Sequence, residues 1–489
     1  MTVDRARPVI VWFRQDLRLA DHEALHAAAK SGAPVLPLYI HDDETPGALH
    51  IGGASRWWLH QSLEALSASL AKQGGTLILR KGPAHQVLAD LLDETDAAAI
   101  HATRIYEPFG TQCEEDAAAL CQNKGVAFQL HPGRLLFAPK DVATKDGRPF
   151  RVFTPFWRAC LARPSPPAPL SAPTMRAFAE ARSRPLHELN LQPTKPDWAG
   201  GLRDFWRPGE KHAQDRLTHF LDQLLGAYAD RRDDLFGDST SRLSPHLHFG
   251  EISPRQIWHR SLHAANAQSG TAPRGVEVFL KELGWREFSY HLLHQFPHMP
   301  DEPLRPEFEH FPWRQDPDAL TAWQRGQTGY PVVDAGMRQL WLTGWMPNRV
   351  RMIAASFLIK HLLLPWQDGA AWFWDTLADA DLASNSASWQ WVAGCGADAA
   401  PYFRIFNPVL QGQKFDPNGE YVRNWVPELA HLPTRDIHAP WQASGGASAQ
   451  PSFDLGSAGG TYPAPIVDHS AARARALAAL ATLKGRDNR

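Results

Sequence analysis

The chain has 489 residues, 44% of them hydrophobic and 21% charged, which is too long for one ordinary core and too apolar for disorder, so two or three domains are expected. A formal net charge of −2 gives no global pull toward nucleic acid, and a DNA partner would have to be met by a local basic face. Cys113, Cys121, Cys160 and Cys395 form no CxxC pair, the start MTVDRARPVIVWF lacks a signal-peptide core, and no apolar run reaches bilayer length, which argues against a zinc site, a disulfide framework and a membrane anchor and for a cytoplasmic protein.

The first third alternates short apolar runs with amphipathic helical patterns. The runs are PVIVWF (8–13), PVLPLYI (34–40), TLILRK (76–81), AAAIHA (97–102) and VAFQLH (126–131), and segments such as SRWWLHQSLEALSASLAKQ (55–73) separate them. That rhythm predicts an α/β doubly wound parallel sheet, Rossmann-like, with its ligand crevice at the carboxyl ends of the strands. Arg14-Gln15-Asp16-Leu17-Arg18 follows the first strand without any GxGxxG, so a dinucleotide of the usual kind is not expected there. ARPSPPAPLSAP (162–173) is too rich in proline for helix or central strand and reads as an extended connector. From about residue 205 the pattern is helical, as in DRLTHFLDQLLGAYADRR (215–232) and MRQLWLTGWMPNRVRMIAASFLIKHLLL (337–364). A small-residue loop is expected at 443–461 and a last helix at 470–484. The expected boundaries are 1–135 for the α/β domain, 136–205 for the connector and 206–489 for an all-α domain.

Chemistry-bearing side chains cluster in four places. DADLASNSASWQWVAG (379–394) sets Asp379, Asp381 and Asn385 beside Trp389 and Trp391; alone this reads as helix caps ahead of a buried aromatic helix. KELGWREF (281–288) brings Glu282, Trp285 and Arg286 together by spacings of three and four. WMPNRVRM (345–352) mixes aromatic, amide, guanidinium and thioether. GDSTSRLSPHLHFGEIS (237–253) offers the Thr240, Ser241 and Ser244 hydroxyls at a helix start, suited to phosphate oxygens. Tryptophan is in excess, 19 against 8 tyrosines, and core packing is the plain reading for most of them.

Taken together, WFRQDLRLAD (12–21), TSRLSPHLHFGEIS, WREF, GQTGYPVVDAGMRQLWLTGWMPNRVRM, WQWVAG and DAAPYFRIFNP (398–408) closely resemble the photolyase/cryptochrome family over nearly the whole chain. The resemblance implies an N-terminal antenna domain and a C-terminal FAD-binding domain. It places FAD against Tyr228, Thr240, Ser241, Arg242, Leu243, Ser244, Trp285, Asn348, Arg351, Asp379, Asp381 and Asn385. It also implies a three-tryptophan electron chain, Trp313, Trp366 and Trp389, and a pocket for a flipped-out lesion formed by Glu282, Trp285, Asn348, Met352 and Trp391. Arg232, Arg349 and Arg404 would supply a basic rim toward UV-damaged DNA, each of them as well read alone as a solvated surface or helix-bracing arginine.

Within the family, the resemblance favours a cyclobutane pyrimidine dimer photolyase over a blue-light receptor. Asn385 stands where plant cryptochromes carry an acid, and an amide cannot protonate a partly reduced flavin, so the flavin is expected to be kept fully reduced. NRVRM has no histidine pair of the kind that six-four photoproduct chemistry needs. GGASRWWLHQSLEAL (52–66) resembles the class III branch, which is associated with methenyltetrahydrofolate as antenna. YEPFGTQCEED (106–116) departs from the Asn-Glu pair by which enteric enzymes hold folate, so a deazaflavin or no antenna remains open. A monomer is expected, nucleoid-associated when bound to DNA in a bacterial cell. His22, where the family commonly shows Asn, is expected to cap a helix.

Overall fold

The structure, a computed structural model, describes residues 7–178, 180–267, 272–398, 403–442 and 462–484. Strands β1 (Val9–Phe13), β2 (Val35–His41), β3 (Ile78–Lys81), β4 (Ala99–Thr103) and β5 (Ala127–His131) fall within two residues of the five apolar runs. They form one parallel sheet of order β3-β2-β1-β4-β5. Helices α1 (Glu23–Lys30), α2 (Gly53–Ala71), α3 (Ala84–Thr95) and α4 (Pro108–Lys124) make the crossovers that parallel pairing requires. Ile10 and Trp12 of β1 pack with Leu36, Leu38, Ile100, Leu88 of α3 and Cys121 of α4. Val9, Val11 and Phe13 alternate to the other face and are equally buried, which is why β1 is apolar at every position. His22 caps α1 as expected, its Nδ1 accepting from the Leu25 N–H at 3.1 Å.

After α5 (Phe153–Leu161) and an extended stretch through 162–173, the chain is helical. Its elements are α6 (Gly200–Phe205), α7 (Glu210–His219), α8 (Leu225–Arg231), α9 (Ser244–His248), α10 (Pro254–Ala267), α11 (Ala272–Gln295) and α12 (Pro317–Gln324). There follow α13 (Pro331–Thr343), α14 (Asn348–Ser356), α15 (Trp366–Thr376), α16 (Leu382–Ala393), α17 (Pro408–Phe415), α18 (Glu420–Trp425) and α19 (His469–Lys484). The 337–364 pattern is not one helix. Gly344, at φ 65°, closes α13 in the left-handed conformation, and Pro347 holds extended backbone before α14 begins. Residues 220–224 and 357–361 are wound as π-turns, which leave the hydrophobic periodicity almost unchanged. The 443–461 loop expectation and residues 399–402 of DAAPYFRIFNP lie outside the described residues.

By compactness the chain divides into two units that interleave along the sequence. One takes in the described residues up to Ala229 with Ser241–Pro297 and Ala378–Ala383; the other takes in Asp230–Thr240, His298–Leu377 and the described residues from Ser384 on. The linear boundaries expected at 135 and 205 therefore do not coincide with these units, because α7 to α11 cohere with the sheet.

The first unit explains two of the recurrent strings as structure. Leu17 N–H donates to the Phe249 carbonyl at 3.0 Å and the Arg18 guanidinium to the Gly250 carbonyl at 2.9 Å, so RQDLR and HFGE are docked against each other by one main-chain and one side-chain donor. Glu251, fully buried, accepts from Trp58 Nε1 at 3.1 Å and the Gly209 N–H at 2.8 Å, and also pairs with Ser62 and His246.

Candidate active site

In the first unit, α11 carries Glu282, half-buried, and Trp285, one turn apart. Trp285 stacks on Phe153 with ring centroids 3.8 Å apart at 10° and is 37% exposed, an aromatic wall held from behind. Tyr228 is buried against Phe220 and Phe279. The 241–244 run turns through Arg242 at φ 50°, whose guanidinium lies over the Phe205 ring at 4.9 Å. Leu243 N–H donates to Ser241 Oγ at 3.4 Å, the Ser241 carbonyl accepts from Arg216 at 2.7 Å, and Ser244 opens α9.

Asp379 and Asp381 are both buried in this unit. Burial would push the Asp381 carboxyl up, but His248 at 3.6 Å, then Arg286 and Arg134, outweigh it and hold the group well below the usual carboxylate range. Tyr290 donates its hydroxyl to Asp381, and Arg134 donates to the Tyr290 oxygen. Arg134 Nε and Nη1 and His248 Nδ1 are buried without a hydrogen-bond partner among the described residues. Buried donors left open around an ionised carboxylate, with hydroxyls and main-chain N–H groups at 241–244, are a donor set that suits the polar edge and phosphates of FAD.

In the second unit, α14 brings Asn348 and Met352 side by side, with Nδ2 3.8 Å from the sulfur. Arg351 donates to the Met346 carbonyl at 3.0 Å. Asn385 Nδ2 donates one of its two N–H groups to the Ala370 carbonyl of α15 at 3.0 Å, which orients the amide. Trp389 is buried between Trp323 (6.3 Å, 70°) and Phe373 (5.0 Å, 68°), Trp366 is buried at the start of α15, and Trp313 is half-buried against Phe311.

Trp391 and Arg404 share a cleft with Lys360, Phe403 and Phe406. Trp391 donates to the Asp398 carbonyl at 3.0 Å, and Arg404 is exposed, its guanidinium over Phe406. Arg349 is ion-paired with Asp233 at 2.6 Å and stacked on Phe415, contacts of the kind a helix-bracing arginine makes. Arg232 is half-buried beside that pair's Asp233 in sequence.

Sequence reading missed Lys360, Tyr290, Arg134, Glu107 and His248. For Lys360 a signal existed, since it interrupts the apolar run FLIKHLLL; for the others, contacts made across 27 to more than 150 positions left none. Lys360 and Glu287 also predict a pH profile. Burial, and then the Arg404 charge, lowers the Lys360 ammonium to about 7 from 10.5; burial raises the Glu287 carboxyl to about 7 from 4.5, against Arg286 and the Phe137 and Leu136 N–H groups it accepts from.

For Glu287 the folded pKa exceeds the unfolded one, so stability falls as pH rises from 4.5 to about 7. For Lys360 it lies below, so stability rises from about 7 to 10.5. Glu287→Gln should flatten the first slope, about 3 kcal/mol at full extent, and Lys360→Met the second, about 5 kcal/mol. Urea unfolding at several pH values reads this; slopes unchanged from wild type would contradict it.

Comparison with known proteins agrees with this architecture. Residues 9–174 match DNA photolyase and residues 279–482 match the FAD binding domain of DNA photolyase. The chain is 49% identical over 482 residues to the deoxyribodipyrimidine photo-lyase of Agrobacterium fabrum, covering 98% of this chain and 99% of that one. It is 39% identical over 481 residues to cryptochrome-1 of Arabidopsis thaliana, covering 97% of this chain and 70% of the plant protein. The solved structure of a bacterial class III photolyase from Agrobacterium tumefaciens superimposes with a TM-score of 0.92 at 48% identity, covering 99% of this chain and all of that one. A parallel five-stranded sheet followed by a helical FAD-binding domain defines a flavoprotein of the photolyase type. The chain belongs to the photolyase/cryptochrome family.

Proposed function

We propose that the chain repairs cyclobutane pyrimidine dimers in UV-damaged DNA under blue light, as a deoxyribodipyrimidine photolyase. The observation that carries this reading is Asn385, an amide oriented by one N–H on the Ala370 carbonyl, whose oxygen can accept a reduced flavin's N–H and which, unlike a carboxylic acid, has no proton to transfer. Full-length identity of 49% to a named photo-lyase, against 39% to a cryptochrome, supports it. Bound FAD, fully reduced and excited by light, supplies the electron that opens the cyclobutane ring and takes it back afterwards.

The chain's own residues bind and orient. Tyr228, Thr240, Ser241, Arg242, Leu243, Ser244, Asn348, Arg351, Asp379, Asp381 and Asn385 hold FAD. Trp285 and Trp391 wall the flipped-out lesion, Met352 packs against it, and Glu282 meets the base edges. Flipping is general to enzymes that do chemistry on a base, photolyases among them, because the reacting atoms are out of reach inside the duplex stack. Arg232 and Arg404 meet phosphates. Trp389, Trp366 and Trp313 pass an electron inward from the surface.

Methenyltetrahydrofolate is the antenna this reading favours, with a deazaflavin or none as the alternatives that an absorption spectrum separates. The protein acts as a monomer in the cytoplasm, on the nucleoid. Among the described residues no helix is long and apolar enough to cross a membrane.

Purified protein is expected to restore transformation by UV-irradiated plasmid only under blue light; restoration in the dark, or none, would refute the proposal. A light-sensing cryptochrome, favoured by the second similarity, would photoreduce flavin and leave the plasmid damaged. Glu282→Ala is expected to lower repair at least about tenfold, the loss of a charged hydrogen bond worth ~1.5–3 kcal/mol, with flavin content unchanged.

A further inference from the structure

The 106–116 segment, which departs from the folate-binding pattern, turns Glu107 inward. Glu107, buried at the start of α4, accepts from Arg134 Nη2 at 3.0 Å and lies 3.4 Å from the Tyr290 hydroxyl. Arg134 Nη2 also bonds the Tyr290 oxygen and stands 3.9 Å from Asp381 Oδ2, while Tyr290 donates to that same oxygen. Arg286 lies over the Tyr290 ring at 4.9 Å and donates to the Arg134 carbonyl at 2.8 Å. Glu107, Arg134, Tyr290 and Asp381 are all buried, so water does little to screen them. The cluster holds two carboxylates around one shared guanidinium, with a tyrosine hydroxyl that touches all three.

We infer that Arg134, Tyr290 and Glu107 are positioning residues that hold the Asp381 carboxylate and set the electron affinity of flavin bound beside it. The inference rests on the flavin reading above. It extends the site from Asp381 to the β4–α4 connection and to Arg134 just past β5, residues of the α/β half with no assigned part in the reaction. An electron added to the flavin is stabilised by the net positive charge nearby and opposed by negative charge. Removing Arg134 leaves two buried carboxylates facing each other. Removing the Glu107 charge frees the guanidinium to act on Asp381 alone. The two changes must therefore shift the flavin in opposite directions. Loss of the Tyr290 hydroxyl takes a donor from Asp381 and acts in the same direction as loss of Arg134.

The test is spectroelectrochemical titration of FAD bound to the full chain, with flavin content and thermal unfolding measured alongside. Arg134→Gln and Tyr290→Phe are expected to lower the midpoint potential and Glu107→Gln to raise it. The expected shift for Arg134→Gln and Glu107→Gln is at least about 30 mV, a tenfold change in the preference for reduced over oxidised flavin for a two-electron couple. Should Arg134→Gln fail to fold, Tyr290→Phe and Glu107→Gln carry the same opposition of sign. A purely structural cluster would lower the unfolding temperature in every variant and leave the potentials together, or move them the same way, and that result overturns the inference while the flavin reading stands. Wild-type protein that cannot be loaded with FAD overturns both.

Discussion

Trp389→Phe is expected to slow photoreduction of oxidised flavin by at least about tenfold, some 1.4 kcal/mol or more in the barrier, while repair by flavin reduced chemically beforehand persists. Phenyl is far harder to oxidise than indole, so the substitution cuts the relay at its buried end without removing a residue that binds substrate. The site is built tightly around this indole. A Cβ on Gly369 of α15 would lie 2.1 Å from Trp389 Cη2, and Trp323 and Phe373 close two further sides. The smaller ring leaves a partial cavity costing about 1–3 kcal/mol, which the unfolding midpoint would register separately from the optical assay. Loss of both photoreduction and pre-reduced repair would contradict a relay-only role.

Gly250→Ala is expected to destabilise the first unit by about 3–5 kcal/mol, combining the left-handed backbone penalty with forced overpacking. Gly250 sits at φ 66°, and a Cβ there would lie 2.2 Å from the Gln15 carbonyl oxygen and 2.5 Å from the Asp16 Cα. Both neighbours are backbone, tied by the Leu17 to Phe249 and Arg18 to Gly250 hydrogen bonds, so neither can swing aside. Denaturant unfolding reads the effect; a variant within about 1 kcal/mol of wild type would mean that the two strings are not docked as described.

The sheet was legible chiefly from its central strands, since burial of β1 on both faces leaves its mark as five consecutive apolar residues, whereas β3 (ILRK) and β5 (AFQLH) carry polar residues. The helical half was legible as a class but not in its breaks, since Gly344 and Pro347 end α13 inside a pattern whose apolar spacing continues. The candidate site was legible only where its residues are close in sequence: Glu282 with Trp285 on α11, and Asn348 with Met352 on α14. Partners brought together by the fold were invisible. Nothing in YEPFG announces that Glu107 will meet Arg134 and Tyr290, and the Asp381 carboxylate takes its ionised state from distant groups, His248, Arg286 and Arg134, rather than from its own neighbours. Arg349 is a further case, because nothing in NRVRM announces that this arginine will meet the Asp233 carboxylate and the Phe415 ring.

The central claim is that this fold turns light absorbed by reduced flavin into ring opening of a thymine dimer. Its most direct measurement is chromatographic analysis of a dimer-containing oligonucleotide incubated with chemically reduced, FAD-loaded protein, in blue light and in darkness. Conversion of the dimer to two thymines under light alone is the predicted result, and an intact dimer after illumination of protein shown to hold reduced flavin would contradict the account.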